Sequence, residues 1–233
     1  MGKPHYFGKI LSGEIEKAYL LGFLWHDGYI SYGRVGIEIN PKDISVIKKL
    51  ARAIDLDLSN VKVSRRSRLF IYKGEKNKYH SVSLTFGCKS MIDDLIAIGY
   101  TNLRTGSKNI PIPIKNLIEQ AKLEDPHLWY ETETGLTALA WLLGAYDADG
   151  RYLGGPRGYT GMFYSSDKGY LNEIKDIFEI KNDVKTKVEP NTVLEIFDKY
   201  YITKGHQFEI YSAFRQEHGL LFYNYPREEF LEE

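Results

Sequence analysis

Two aspartates, Asp27 and Asp149, are the residues of this chain whose setting points most clearly to chemistry. Each ends an apolar, helix-like run and is followed directly by a glycine. The C-terminal end of a helix carries a partial negative charge, so a carboxylate there is unfavourable unless a cation neutralises it. Carboxylate oxygens are the ligands that hard divalent cations prefer. The sequence therefore predicts a divalent metal beside these acids.

The two apolar runs follow one pattern. Residues 20–28 read Leu-Leu-Gly-Phe-Leu-Trp-His-Asp-Gly and residues 142–150 read Leu-Leu-Gly-Ala-Tyr-Asp-Ala-Asp-Gly, 122 positions further along a chain of 233 residues. A pattern repeated half a chain apart predicts a duplicated architecture with a pseudo-twofold axis. Gly22 and Gly144 occupy the same place in both copies. Because a glycine costs a helix about 1 kcal/mol, the pair predicts a close crossing of two helices.

Both nonapeptides resemble the motif of the LAGLIDADG homing endonuclease family. The matching residues are Leu142, Gly144, Asp147, Ala148, Asp149 and Gly150 in the second copy, and Leu20, Gly22, Asp27 and Gly28 in the first. The resemblance implies a monomeric protein with two motif helices that cross at the centre of a saddle-shaped molecule. It also implies that the last acid of each motif binds metal over the DNA minor groove.

The predicted fold class is α+β, with the order helix, two strands, helix, two strands, helix occurring twice. Two antiparallel sheets would form the saddle around the motif helices. Periodicity and turn residues predict these elements in the first half: helices over 14–25, 43–54, 89–98 and 114–123, and strands over 29–32, 35–40, 61–72 and 80–86. The second half is predicted to have helices over 136–146, 168–180 and 213–223, and strands over 159–165, 184–188 and 207–211.

Charge divides the chain at about the same place as the motifs do. Net charge is zero, but residues 1–124 hold 20 Lys and Arg against 12 Asp and Glu, whereas residues 125–233 hold 11 against 19. We therefore predict a basic domain over 1–124 and an acidic one over 125–233. Such asymmetry favours a polyanion partner for the basic half; the alternative is the ordinary solvation of two surfaces.

Cysteine usage and hydropathy bear on localisation. Cys88 is the single cysteine, which excludes an intrachain disulfide framework and suits a reducing cytoplasm. No apolar run reaches the roughly 20 residues of a membrane span, and the N-terminus lacks the apolar core of a signal peptide. A cytoplasmic protein without a membrane partner is predicted.

The resemblance assigns chemistry to the two acids. Asp27 and Asp149, with Gly28 and Gly150 beside them, would hold Mg²⁺ or another divalent cation such as Mn²⁺ for phosphodiester hydrolysis. The alternative is that both are ordinary Asp-Gly helix stops. In strict register the counterpart of Asp147 is Trp25, so Asp147 is expected outside the symmetric ligand set. His26 could orient water, although a single histidine is more often structural.

Basic residues near the acids and along the strands complete the predicted site. The resemblance implies a polar or basic residue at the end of the second strand of each half, which points to Lys42 and Lys168 as catalytic candidates, with Asn40 and Ser166 nearby. A cation there would stabilise phosphorane charge; the alternative is a solvated helix N-terminus. DNA contacts are predicted for Arg34, Arg65, Arg66, Arg68, Lys73, Lys76 and Lys78, and for Arg151, Arg157, Lys185 and Lys187.

These DNA contacts rest on the geometry of a β-ribbon, which fits the major groove and presents arginines to guanine. The alternative is an edge strand protected from aggregation by charge. The leading functional prediction is a metal-dependent, site-specific endonuclease for double-stranded DNA. Such proteins are typically encoded within introns or inteins; an initial Met and the lack of intein splicing signals favour a free-standing enzyme. The alternatives are a descendant that binds DNA or RNA without cleavage, and a structural α/β protein.

Overall fold

The computed structural model describes residues 6–41, 44, 51–52, 54–56, 61–72, 75–101, 108–155, 158–165, 167–180, 183–187 and 199–204. Its helices are α1 (Ile15–Asp27), α2 (Lys89–Ala97), α3 (Ile112–Glu124), α4 (Glu133–Asp149) and α5 (Lys168–Ile177), and Trp129–Glu131 forms a 3₁₀ turn. Its strands are β1 (Gly28–Ser31), β2 (Arg34–Ile39), β3 (Val61–Tyr72), β4 (Glu75–Phe86), β5 (Gly150–Gly155), β6 (Gly158–Ser165), β7 (Lys185–Lys187) and β8 (Lys199–Lys204).

The strands form two antiparallel sheets with the same internal order. One sheet runs β1-β2-β4-β3 and the other runs β5-β6-β8-β7. Each follows directly from a long apolar helix, since α1 leads into β1 and α4 leads into β5. The predicted mixture of helices and antiparallel sheet is confirmed. No helix in the described ranges is both long and apolar enough to cross a bilayer.

The first hairpin is closed by a two-residue turn. Tyr32 and Gly33 both have positive φ, 50° and 68°, and such a turn matches the right-handed twist of the paired strands. Ile37 of β2 then pairs with Leu84 of β4, and both side chains are completely buried. The hairpin predicted around Gly33 is confirmed, and it places the apolar face of the sheet on the core.

The strands β3 and β4 extend well beyond the rest of their sheet. β2 pairs with β4 only from Val82 to Phe86, whereas β3 pairs with β4 along all twelve of its residues. Residues 66–72 and 75–81 therefore form a two-stranded ribbon without a third strand. The start predicted for this strand at residue 80 is wrong, because β4 begins at Glu75. Alternation did not mark these residues because the described side chains of the ribbon, apart from Ser81, are exposed on both faces.

The helices α1 and α4 cross with their backbones in contact. A Cβ atom on Gly22 would lie 2.0 Å from the carbonyl oxygen of Trp141, and one on Gly144 would lie 2.0 Å from that of Tyr19. No side chain fits at either position. The close crossing predicted from the paired glycines is confirmed, and it brings the C-terminal ends of the two helices to one side of the molecule.

Both motif helices are longer than predicted and include their acids. The backbone N–H of Gly28 donates to Leu24 and that of Gly150 to Tyr146, which continues the helical bonding through Asp27 and Asp149. Neither glycine adopts the left-handed backbone that is common just past a helix end, since φ is −92° at Gly150 and −74° at Gly28. Glycine is required for another reason. A Cβ at either position would lie 2.3 Å from the carbonyl oxygen four residues earlier, that of Leu24 or Tyr146.

Other predicted elements differ at their ends or lie outside the described residues. Asp167 caps α5 by accepting a bond from the Tyr170 N–H, and the helix ends at Ile177 rather than at the predicted residue 180. The strand β8 was not predicted. The predicted strand over 207–211, the helix over 213–223 and most of the helix over 43–54 lie outside the described residues.

Candidate active site

The aspartates predicted to act together do lie near one another. Asp27 is the last residue of α1 and Asp149 is the last residue of α4. The negative charge of Asp149 acts directly on the carboxyl of Asp27. The glycine-mediated crossing of the two helices therefore brings two carboxylates, 122 residues apart in sequence, into one electrostatic cluster.

Asp149 is held by two cationic or hydrogen-bonding side chains. Its Oδ2 atom lies 2.8 Å from Nδ1 of His26 and 3.6 Å from Nζ of Lys108. Burial alone would raise the pKa of Asp149, but the bond from His26 and the charge of Lys108 outweigh it and lower this pKa below its ordinary value. Asp149 is thus a carboxylate, and its Oδ1 atom makes no hydrogen bond or ion pair within the described residues.

Asp27 has a different environment. It is exposed to solvent, yet desolvation by the surrounding protein and the charge of Asp149 raise its pKa to about 8. Part of the Asp27 surface is therefore open to water while protein surrounds the rest. Its carboxyl accepts no hydrogen bond from the described part of the chain. This carboxyl is available to a cation from solution.

Lys108 is a site residue that the sequence did not reveal. Its charge acts on both Asp27 and Asp149. The segment that carries it is anchored twice, because the Trp25 indole donates to the Asn109 carbonyl at 2.9 Å and the Ile110 N–H donates to a carboxyl oxygen of α5 at 3.0 Å. This stretch is an irregular connection without periodicity. The one sequence signal for this segment is Trp25. It stands in the first motif where the second motif has Asp147, and its indole N–H needs a hydrogen-bond acceptor.

Asp147 lies in the helix crossing rather than beside the other acids. It is buried, with 4% of its surface exposed, and it accepts a 2.6 Å hydrogen bond from the Tyr19 hydroxyl of α1. This contact joins the two motif helices across their interface. Its position agrees with the prediction that Asp147 stands outside a symmetric ligand set.

The donor set can be compared with what a divalent cation requires. Asp27 and Asp149 offer hard oxygen atoms, and the raised pKa of Asp27 indicates that ionising it in this desolvated setting beside Asp149 is unfavourable without a cation. Mg²⁺ is commonly held by one or two carboxylates, with waters and substrate phosphate completing its ligands, so the pair fits such an ion. The Gly28 carbonyl already accepts a 2.6 Å bond from the Tyr100 hydroxyl. The described residues hold no group of three or more metal-ligating side chains.

The other predicted site residues are distributed over the two sheets and their connections. Lys42, Lys73 and Arg157 lie outside the described residues. Lys168 is the exposed first residue of α5, and Lys185 is exposed in β7. Arg151 belongs to β5 and Lys187 to β7, but their side chains lie outside what the structure describes.

The arginines of the first sheet fall on two faces. Arg66 and Arg68 lie 3.4 Å and 2.9 Å from Oε2 of Glu38, and all three belong to the polar face. Arg65 pairs with Val82, whose side chain is on the core face. Arg65 therefore lies on the face opposite to Arg66 and Arg68. Arg34 is only partly exposed, and its guanidinium donates to the Thr85 carbonyl at 3.1 Å. The four arginines predicted as one set are thus not equivalent.

The environment of Asp27 predicts how stability depends on pH. Its folded pKa of about 8 stands above the ordinary value of 3.8, so folding favours the protonated form. This contribution to stability is present below pH 4 and is lost as pH rises through about 8. Without metal, Asp27→Asn should therefore gain stability relative to wild type as pH rises. Urea unfolding at pH 5 and pH 9 in chelator measures this, and an equal difference at both values would contradict it.

Comparison with known proteins shows the fold. No protein-family model matches the chain, and no curated protein matches it. Among solved structures, it is similar to the homing endonuclease I-WcaI bound to its DNA recognition sequence, with a TM-score of 0.51 and 16% identity over 92% of this chain and 89% of that one. The N-terminal LAGLIDADG domain of DUF199/WhiA has a TM-score of 0.41 and 12% identity over 90% and 87%. The chain thus has a homing-endonuclease fold.

Proposed function

We propose that this protein is a monomeric LAGLIDADG-type endonuclease that hydrolyses both strands of a specific DNA duplex with Mg²⁺ or a similar cation. The observation that carries the proposal is the meeting of Asp27 and Asp149 at the ends of two helices that touch through glycine. An ordinary pair of Asp-Gly helix stops has no reason to converge. Two acids at one crossing, by contrast, suit a reaction on two strands.

Duplication of one half explains this arrangement best. Each sheet has the same strand order, each follows a helix that ends in Asp-Gly, and the glycines at the crossing exchange the same contact with the partner helix. A pseudo-twofold axis would then pass through the crossing, with the two sheets forming a saddle on either side. The likeness of fold to a DNA-bound homing endonuclease supports this proposal.

The residues present have distinct roles in the proposed reaction. A divalent cation at the acids would polarise the phosphodiester and lower the pKa of an attacking water. Asp27 and Asp149 would hold that cation, since both leave a carboxyl oxygen unbonded by the described residues. The ammonium of Lys108, which faces both acids, would offset negative charge that develops on the phosphorane.

The polar face of the first sheet and its ribbon would bind the DNA. The charge of Glu38 acts on Asp27, so this face is continuous with the acids. Arg66 and Arg68 stand on it with 46% and 58% of their side chains exposed. The ribbon beyond β2 also carries exposed Lys76 and Lys78. A two-stranded ribbon fits a major groove about 12 Å wide, so this one could reach bases while lysines contact phosphates.

One observation favours a second candidate function, DNA or RNA binding without cleavage. The described residues contain no cluster of three metal-ligating side chains, and Lys108 already supplies a positive charge to Asp149. A protein that no longer bound metal could keep this fold, with Lys108 in place of the cation beside Asp149.

Selection of cleaved sites from a randomised duplex pool in Mg²⁺ separates the two functions. Enrichment of a defined cut site supports the endonuclease. Enrichment only of bound, uncut sequences would support the binding protein instead.

Replacement of Arg66 and Arg68 by alanine should weaken DNA binding at least tenfold, about 1.4 kcal/mol, because each guanine or phosphate contact on the ribbon is lost. The slope of log affinity against log salt should fall by about 0.9 for each phosphate contact removed. Fluorescence anisotropy on the selected duplex at several salt concentrations measures both.

Arg65→Ala is the matched control for this double variant. It removes one positive charge, against two in the double variant, from the same strand but on the opposite face, so it should change affinity and salt slope by well under half as much. Glu38→Gln should strengthen binding, because it removes a negative charge from the same face. Equal losses in Arg65→Ala and in the double variant would contradict the assignment of the polar face.

A further inference from the structure

His26 joins the two motif helices at the site of the acids. It belongs to α1, yet its Nδ1 atom lies 2.8 Å from Oδ2 of Asp149 at the end of α4. Its other ring nitrogen, Nε2, lies 2.8 Å from the hydroxyl of Tyr170 in α5. The imidazole is completely buried. A residue of the first motif therefore contacts the acid of the second, and a third helix stands behind it.

The proton order in this chain follows from its ends. An ionised carboxylate can only accept hydrogen bonds, so Nδ1 of His26 carries a proton and donates it to Asp149. Nε2 lies 2.8 Å from the Tyr170 hydroxyl, so with Nδ1 donating to Asp149 the neutral imidazole accepts from that hydroxyl at Nε2. Burial raises the pKa of Tyr170, which keeps that hydroxyl protonated. All donors therefore point from Tyr170 through His26 toward Asp149.

The imidazole is also fixed by aromatic packing. Its ring centre lies 5.1 Å from that of Phe163 in β6, in an edge-on contact, and 5.6 Å from that of Tyr170. The ring of Trp141, in α4, is 6.3 Å away. A ring enclosed on several sides and bonded at both nitrogens cannot turn without losing these contacts. His26 is therefore a rigid donor rather than a mobile side chain.

The two acids differ in this respect because of the sequence itself. The residue of the second motif that corresponds to His26 is Ala148, which has no donor to offer Asp27. Asp27 correspondingly makes no hydrogen bond within the described residues. Whatever the symmetry of the backbone, one carboxylate is braced by the opposite helix and the other is not.

We propose that His26, supported by Tyr170, is a positioning residue that holds Oδ2 of Asp149 and so directs Oδ1 toward a divalent cation, making the Asp149 half of the site the stronger metal site. This inference rests on the proposed function, because it concerns the same cation. In metalloproteins, loss of a residue that orients a ligand typically costs 10–100-fold in metal affinity. The unequal acids would then bind metal with unequal affinity.

Binding of Mn²⁺ to the protein alone, followed by electron paramagnetic resonance of the free ion, tests the inference without any cleavage assay. His26→Ala should weaken the tighter Mn²⁺ site about tenfold or more. His26→Asn should restore most of the affinity, because its amide nitrogen can take the place of Nδ1. Tyr170→Phe removes one hydroxyl group and should weaken the same site by a smaller factor.

Tyr19→Phe is the matched control. It also removes a buried tyrosine hydroxyl that reaches a carboxylate of α4 from α1, but that carboxylate is Asp147. Its Mn²⁺ affinity should equal that of wild type, while its loss of thermal stability should resemble that of Tyr170→Phe. A thermal unfolding scan of each variant confirms that the native fold is present.

The outcomes separate this inference from the function on which it rests. No saturable Mn²⁺ binding by the wild type would overturn both. Binding that Asp149→Asn abolishes, but that His26→Ala and Tyr170→Phe leave unchanged, would overturn the positioning role alone. Equal weakening by Tyr19→Phe and Tyr170→Phe would also overturn it, because the effect would then be one of general destabilisation.

Discussion

Cleavage of DNA by Asp149→Asn should fall at least a thousandfold, while its affinity for the same duplex stays close to that of wild type. A thousandfold loss corresponds to about 4 kcal/mol of transition-state stabilisation, which is the scale of what a metal at the scissile phosphate contributes. Asparagine keeps the shape of the side chain and an oxygen that can accept from His26. It lacks the anionic charge that holds a hard cation.

The same substitution at Asp27 should cause a less complete loss of cleavage. Asp149 would remain, braced by His26 and Lys108, and the motif around it matches the family pattern at more positions. We expect Asp27→Asn to retain nicking of one strand. A supercoiled plasmid that carries the selected site shows this directly, since nicked and linear products separate on a gel.

The stability of both variants provides the control. Asp27→Asn should unfold no more easily than wild type, because the fold disfavours the charge of Asp27. Asp149→Asn loses a charge that His26 and Lys108 stabilise, so it should lose some stability but still fold. Cleavage that persists in both variants, or that survives excess chelator, would contradict the metal mechanism. Cleavage lost together with DNA binding would instead show that the substitutions disturb the fold.

Gly144→Ala should destabilise the protein by at least 3 kcal/mol or prevent it from folding. The new Cβ would lie 2.0 Å from the Tyr19 carbonyl oxygen and 3.0 Å from the Phe23 nitrogen. Because both neighbours are backbone atoms, no side chain can move aside, and the helices must separate. Interiors are close-packed, so separation opens the core on both sides. Urea unfolding measures the loss, and Gly22→Ala should show a similar one.

A helical glycine away from the crossing is the matched control. Gly169 in α5 would bring its Cβ near only one side-chain atom, an oxygen of Asp167 at 3.2 Å. Gly169→Ala should therefore change stability by no more than about 1 kcal/mol. If Gly144→Ala were equally mild, the backbones of α1 and α4 would not be in contact.

Much of the arrangement could be read from local patterns. The hairpin at Gly33 was predictable because a two-residue turn needs positive φ, and the crossing because two glycines at equal places are costly without a packing role. The ends of the motif helices were missed because an Asp-Gly pair is ordinary at a helix end. Glycine is needed there because a Cβ on the extended backbone of Gly28 would clash with the Leu24 carbonyl oxygen.

The contacts that complete the site were not local. Lys108 lies in an irregular connection, and bonds from Trp25 to Asn109 and from Ile110 to Glu173 hold it beside the acids. In the sequence His26 is a single histidine of the first motif, and nothing near it shows that Asp149 lies 2.8 Å away. Pairings across 123 residues depend on the crossing angle of two helices, which periodicity does not reveal.

The glycine-mediated crossing also has a consequence for synthesis of the chain. α1 and α4 stand 122 residues apart, so at about 5–20 residues per second α1 waits roughly 6–25 s for its partner. During that interval Leu20 and Leu21, both buried in the finished molecule, have no α4 to cover them. Because the groove of α1 receives a helix of nearly its own pattern, α1 of a second nascent chain fits it too. Mispaired dimers joined through two copies of α1 are therefore the expected by-product when nascent chains meet.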